Sequence, residues 1–169
     1  MIELKKILVP VDFSSRSIDA LQYALSLART YSASLLLLHV VDMGAAESIF
    51  RIHTTGPEEM MAEKLCKYCE KQFDKMLVDL DTSGVNIDRR VVQGHAHLEI
   101  VRAAALEDID AVVMCTHGYT GLEHMLHGSV TEKVVRSAPC PVLAVKSSGY
   151  KFHLPGKTRA IRKEDISTP

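Results

Sequence analysis

The stretch Ile7-Leu-Val-Pro-Val-Asp12 decides the fold of this chain. Its aliphatic residues show no polar alternation, which is typical of a strand buried on both faces in the middle of a parallel sheet. Pro10 cannot donate a hydrogen bond to a neighbouring strand, so it marks the strand's end. Asp12 is therefore expected at the carboxyl end of a central strand, and a helix cap is the alternative role for this residue.

Further strand patterns follow the first one, and amphipathic helical patterns separate them. The predicted strands cover 34–41, 87–92, 111–114 and 142–145. The second and fourth are continuous apolar runs, whereas the third alternates in a way that suits a sheet edge. Five strands alternating with four helices predict an α/β fold, a doubly wound open five-stranded parallel sheet of order 3-2-1-4-5 with helices on both faces.

Apolar residues at helical spacing predict the inward face of each helix. Ser14 and Ser15 are candidate caps for the first helix, and Pro57 lies at an early position of the second. The expected inward residues are Ile18, Leu21, Leu25 and Ala28, then Met61, Leu65, Tyr68, Phe73, Met76, Leu77 and Leu80, and finally Leu98, Val101, Ala104 and Ala105.

The composition is that of an ordinary globular protein. The 169 residues are 47% hydrophobic and 24% charged, with a net charge of −1. The absence of a basic excess argues against nucleic acid as a partner, and no apolar run approaches the ~20 residues that a membrane span needs. We expect one domain over residues 1–147 and an irregular tail over 148–169.

The four cysteines are few for this length, and the first thirty residues do not resemble a secretory leader. The expected location is therefore the cytoplasm. Cys66 and Cys69 have redox spacing but lie inside a predicted helix, which favours ordinary helix cysteines. His95, His97, His117, His124 and His127 lack the carboxylate or cysteine spacing of a metal site, so we predict no dedicated metal centre.

The stretch from Cys115 to Glu132 predicts an anion-binding loop. It follows an apolar strand, carries Gly118 and Gly128-Ser129, and ends where a helical pattern begins at Val130. Glycine lets the backbone approach an oxyanion, and the first turn of a helix offers unpaired N–H groups. Ser129-x-x-Glu132 also fits a capping box that needs no ligand, and the sequence leaves both interpretations open.

Several spaced motifs together resemble the universal stress protein family, in its nucleotide-binding branch. They are Lys6-Ile-Leu-Val-Pro-Val-Asp-Phe-Ser14, Leu38-His-Val-Val-Asp42, Val92-Gln-Gly94, Thr116-His-Gly118, Gly128-Ser129 and Cys140-Pro-Val-Leu-Ala-Val145. The resemblance covers residues 2–146. It implies a cytoplasmic stress-response protein that binds ATP or AMP, with Mg²⁺ carried in by the nucleotide, and that acts as a sensor or regulator.

The resemblance also implies the site. Pro10 and Val11 line the base, Asp12 and the backbone of Val40 hold ribose and adenine, and Gly94 borders the same pocket. The phosphates are assigned to Gly118, Gly128, Ser129 and Val130. Cys115 stands where the family's motif has its first glycine, so its Cβ and thiol could crowd a phosphate, which implies weaker binding or a nucleotide with fewer phosphates.

Two alternatives to the sensor remain open at this point. One is a slow ATPase that uses the same pocket, although no nucleophile with an evident base can be assembled from the spacing, so a dedicated enzyme is not expected. The other is a dimeric scaffold that binds no nucleotide. Family likeness implies a homodimer, and the last strand, Val142, Leu143, Ala144 and Val145, is the expected contact because an apolar sheet edge can pair with its symmetry mate.

Overall fold

The computed structural model describes residues 3–42, 58–116 and 130–147. Within them five strands form one parallel sheet in the order β3-β2-β1-β4-β5, which confirms the predicted fold class and strand order. The strands are β1 (Lys6–Pro10), β2 (Ser34–Val41), β3 (Ile87–Gln93), β4 (Ala111–Cys115) and β5 (Val142–Val145).

Four helices are described, two for each face of the sheet. They are α1 (Ser15–Tyr31), α2 (Glu58–Leu77), α3 (Ala96–Leu106) and α4 (Val130–Ser137). The loop 117–129 and the tail 148–169 lie outside the described residues, so the predicted phosphate loop and the tail boundary stay predictions. No described helix is long and apolar enough to cross a bilayer.

The strands are buried from both sides because their side chains alternate between two core clusters. In β1, Ile7 and Val9 join the cluster beneath α1 and α2, while Leu8 joins the cluster beneath α3 and α4. Successive residues of a strand point to opposite faces, so a continuous aliphatic run is what two covered faces require. β1 is thus the centre of a three-layer domain.

Two predicted helix faces need correction. Tyr68 was expected on the inner face of α2, but it is 56% exposed and Cys69 is buried instead. Leu98 was expected on the inner face of α3, but it is 51% exposed, and Ala105 is also exposed. Ile100 and Ala104 carry the buried face of α3.

A carboxylate joins the amino ends of β1 and β4 by direct hydrogen bonds. Asp110 Oδ2 accepts hydrogen bonds from the backbone N–H groups of Lys5 and Lys6, at 2.6 and 2.9 Å. Nearby, Glu107 pairs with the side chains of Lys6 and Arg90. This edge of the sheet is opposite to the one where the chain leaves β1 and β4.

Candidate functional site

The winding of the chain reverses between β1 and β4, and we call the space beside their carboxyl ends the switch point. β1 pairs with β2 on one side and with β4 on the other. The connections therefore run to opposite sides of β1, which leaves an opening at the carboxyl ends of these strands. Ligands of wound α/β domains bind at this position. β1 ends at Pro10 and is followed by Val11 and Asp12, and β4 ends at Cys115 and is followed by Thr116.

The chain leaves β1 in extended form and then turns sharply. Val11 is buried, and its N–H donates to the carbonyl of Leu38 at 2.9 Å, which continues the pairing of β1 with β2 past Pro10. Phe13 then adopts a positive φ of 60°, which is uncommon for a residue with a side chain. This turn brings the carboxylate of Asp12 back over the start of α1.

Local donors fix the Asp12 carboxylate. Its Oδ1 accepts from the N–H of Ser14 at 3.1 Å, from the Ser14 hydroxyl at 2.6 Å and from the Ser17 hydroxyl at 2.5 Å. The Ser17 Oγ also accepts from the Asp12 N–H at 3.1 Å. A negative charge is stabilised beside the N-terminus of a helix. The helix-cap alternative for Asp12 is thus partly correct, although Ser14 is the N-cap residue itself.

The exit from β4 is joined to α4 by a buried hydroxyl. Thr131 Oγ1 donates to the Cys115 carbonyl at 2.8 Å, and the Thr116 N–H donates to the Val145 carbonyl at 3.0 Å. These contacts hold the first turn of α4, with the exposed Val130 at its start, next to the end of β4. The α4 N-terminus therefore approaches the switch point from the face opposite to α1.

Cys115 ends β4 without strain. It is not among the residues with a positive φ, and its side chain packs against the core cluster beneath α1 and α2. The backbone at Cys115 therefore does not need the positive φ that favours glycine. Any effect of Cys115 on a ligand comes from the space that its side chain occupies.

The remaining predicted residues lie farther along the same edge. Val40 pairs with Val92 of β3, and Gly94 follows β3 with a φ of 149° and donates its N–H to the Val41 carbonyl at 3.0 Å. β3 is separated from β1 by β2, so Gly94 is two strands away from the switch point. Gly118, Gly128 and Ser129 lie outside the described residues.

The structure therefore brings Pro10, Val11, Asp12, Cys115 and Val130 together around the switch point. Two polar residues that the sequence analysis missed hold this arrangement. Ser17 is 5% exposed and Thr131 is 9% exposed, and they are the buried polar residues in the described ranges. A buried hydroxyl is costly unless it is hydrogen-bonded, and each of these bonds to the end of a central strand.

A comparison with family models identifies the group to which this fold belongs. The model described as the universal stress protein family matches residues 3–146. The chain belongs to the universal stress protein family. Universal stress protein MJ0531 of Methanocaldococcus jannaschii is 34% identical over 142 residues, which are 84% of this chain and 82% of the relative. The sequence resemblance is thereby confirmed at the level of the family.

Solved structures of universal stress proteins share the fold. The structure of hypothetical protein MJ0577, from the same organism, matches with a TM-score of 0.73 and 32% identity over 88% of this chain and 100% of its own. A universal stress protein in complex with cAMP and one from Archaeoglobus fulgidus in complex with dAMP match with TM-scores of 0.59 and 0.51 and identities of 21% and 20%. Each covers 85% of this chain, with 97% and 98% of its own length, and shows the likeness of the fold alone.

His39 of β2 lies at the same end of the sheet as the switch point. No sequence motif predicts a role for it. Its ring Nδ1 lies 2.9 Å from the Val11 carbonyl oxygen. Burial lowers the pKa of His39 from its usual value of 6.5, against the opposing effects of this hydrogen bond and of the Asp12 charge. The folded protein therefore favours the neutral ring more strongly than the unfolded chain does.

The other candidate side chains give no second site. Cys69 is buried, and this burial, with smaller effects from Cys66 and Glu70, raises its pKa, which opposes the thiolate that redox chemistry needs. His95 and His97 lie at the start of α3, while the other three members of the histidine group lie outside the described residues. In residues 3–42, 58–116 and 130–147 no group of three or more metal-binding side chains could hold a metal ion.

The lowered pKa of His39 predicts a pH dependence of stability. As pH falls from 6.5 through the lower pKa of the folded state, the unfolded chain takes up a proton that the folded protein resists. The contribution of His39 to the free energy of unfolding is therefore complete above pH 6.5 and is lost as pH falls. Urea unfolding of wild type and His39→Asn between pH 5 and about 7.5 measures it. We expect the wild type to lose more stability than the variant, and parallel losses would contradict this.

Proposed function

We propose that this chain binds an adenine nucleotide, ATP or AMP, at the switch point and acts as a sensor or regulator of the stress response. The single observation that supports this most strongly is the pair of buried hydroxyls, Ser17 and Thr131, at the starts of α1 and α4. They hold two helix N-termini beside the ends of β1 and β4, from opposite faces of the sheet. The N-terminus of α1 already holds the Asp12 carboxylate. Helix N-termini favour anions, so the N-terminus of α4 is the one that fits the phosphate of a ligand in this opening.

Each predicted residue is then assigned a role in the proposed site. Pro10 and Val11 line the base, the fixed carboxylate of Asp12 accepts hydrogen bonds from the ribose hydroxyls, and the backbone of Val40 contacts the adenine. Gly94 borders the far side of the site. The phosphates are assigned to the loop glycines Gly118 and Gly128, to Ser129, and to the first turn of α4 at Val130.

The metal is proposed to arrive with the nucleotide. Asp12 Oδ1 accepts three local hydrogen bonds, and the described residues offer no cluster of metal ligands. Mg²⁺ commonly keeps several waters and relies on substrate phosphate oxygens, so the phosphates of the nucleotide can provide its oxygen ligands. When bound, Mg²⁺ would neutralise part of the phosphate charge.

Solved structures of the same fold favour an adenine nucleotide as the proposed ligand. Proteins of this fold have been solved with cAMP and with dAMP, which share an adenine base, a pentose and one phosphate. All four cysteines of this chain are free thiols, which agrees with the reducing cytoplasm that we propose as its location.

We further propose that two copies associate through β5. β5 is an edge strand of the sheet, and its Leu143 is 43% exposed while Ala144 is also exposed. An apolar edge invites pairing with a second copy, and a solution mass of one chain, 18.7 kDa, at micromolar concentration would contradict it.

Asp12→Asn is expected to weaken nucleotide binding without a comparable loss of stability. The amide oxygen can still accept from Ser14 and Ser17, but the charged acceptor for the ribose is lost, so we expect AMP affinity to fall about tenfold. The matched control is Asp110→Asn, which alters a carboxylate that accepts two backbone N–H hydrogen bonds at the opposite edge. Calorimetric titration with AMP and Mg²⁺ should leave this control near wild-type affinity.

Two outcomes would contradict the proposal. The first is equal weakening by both substitutions, since that would indicate a general loss of structure. The second is a wild-type protein that releases no material absorbing near 260 nm on denaturation and also gives no heat with ATP or AMP. The dimeric scaffold would then be the better account of this chain.

Cys115→Gly tests whether the side chain at the end of β4 limits the length of the phosphate chain. We expect the variant to bind ATP about tenfold more tightly, equivalent to about 1.4 kcal/mol, with little change for AMP. Stability should fall by about 1 kcal/mol because glycine weakens a strand and a packed side chain is lost. Cys140→Gly, which removes a half-buried cysteine before β5, is the control and should leave both affinities unchanged. Equal gains for ATP and AMP would contradict the crowding of the longer phosphate chain.

A further inference from the structure

The turn that presents Asp12 is a conformation that needs support. Phe13 has a φ of 60°, in a region that residues with side chains seldom occupy. Such conformations persist where surrounding contacts determine them. The supporting contacts of this turn are therefore part of what directs the Asp12 carboxylate.

His39 supplies the first of these contacts, from the neighbouring strand β2. Its Nδ1 lies 2.9 Å from the Val11 carbonyl oxygen, which is the peptide group directly before Asp12. A carbonyl oxygen can only accept, so Nδ1 carries the hydrogen and donates it. β2 is buried between β1 and β3, which makes it a rigid origin for this hydrogen bond.

The ring of His39 also contacts the residue after Asp12. The Phe13 and His39 rings lie 4.3 Å apart between centroids, at an angle of 34°. On its other side Phe13 meets the buried Phe73 of α2 edge-on, with centroids 5.1 Å apart. His39 therefore contacts both neighbours of Asp12 in the chain.

We propose that His39 is a positioning residue for the nucleotide site, and that its hydrogen bond to the Val11 carbonyl sets the direction in which Asp12 meets the ligand. This inference depends on the proposed function, because Asp12 is the residue through which His39 acts. The ring contact with Phe13 stabilises the fold, whereas the hydrogen bond orients the peptide that carries the carboxylate. The two contributions of His39 can be separated by substitution.

Two substitutions each keep one contribution. His39→Phe keeps a ring against Phe13 but has no donor for the Val11 carbonyl. His39→Asn keeps an amide donor near the position of Nδ1 but has no ring. If His39 acts only by packing, the loss of the ring in His39→Asn should be the more harmful change for both stability and binding.

The positioning role predicts the opposite order for binding. We expect His39→Phe to weaken AMP binding about tenfold, the size of one lost hydrogen bond, and His39→Asn to remain within about threefold of wild type. Urea unfolding should rank them the other way, with His39→Asn less stable than His39→Phe. AMP affinities that follow the order of stability would overturn the positioning role.

Amide hydrogen exchange gives a readout that needs no nucleotide. The N–H groups of Asp12 and Ser14 are hydrogen-bonded within the turn, so His39→Phe should speed their exchange while His39→Asn leaves it near wild type. The Lys6 N–H, bonded to Asp110 at the opposite edge, is the internal control. Unchanged exchange in His39→Phe would overturn the positioning role. A wild-type protein that binds no AMP would overturn the proposed function, and faster exchange in His39→Phe would then show only that His39 holds the turn.

Discussion

The burial of β1 on both faces is the constraint on which this structure depends. Ile7, Leu8 and Val9 are completely buried, so helices must cover the strand from above and below. A single chain achieves this by winding first to β2 on one side and later to β4 on the other. An opening at the carboxyl ends of β1 and β4 follows from this path, whatever residues the loops contain.

The residues beside that opening show how stability and ligand binding can use the same contacts. The bonds from Ser14 and Ser17 to Asp12 help to begin α1, and they also hold the carboxylate in one orientation. A group that is already fixed loses less conformational freedom when a ligand binds. The capping role of Asp12 and the proposed ligand role are therefore compatible.

The sequence predicted the strands well because buried parallel strands leave an unmistakable pattern. The aliphatic runs at Ile7–Val9 and Leu35–Leu38 fill both core clusters, as a sheet covered on both faces requires. Helix faces were predicted less well, since Tyr68 and Leu98 are apolar enough to suggest burial but lie exposed on the surface. Hydropathy does not reveal whether another element is available to cover a residue.

The site residues also divide into those that the sequence predicts and those that only the structure reveals. Asp12 and Cys115 could be placed from local motifs next to strands, and the structure puts both at the switch point. Ser17, Thr131 and His39 could not, because their importance lies in partners that are distant along the chain or depend on the turn geometry. A serine in a first helical turn or a histidine late in a strand is common. Only the contacts in the folded structure distinguish Ser17 and His39 from other residues in such positions.

The most direct test of the central claim is to map AMP binding onto the backbone amides of the isotopically labelled protein by NMR. Titration with AMP and Mg²⁺ should shift the amides of Val11, Asp12 and Thr116 most among the described residues, because they surround the switch point. Shifts that instead centre on Lys5, Lys6 and Asp110 at the opposite edge, or no shifts at all, would contradict the account.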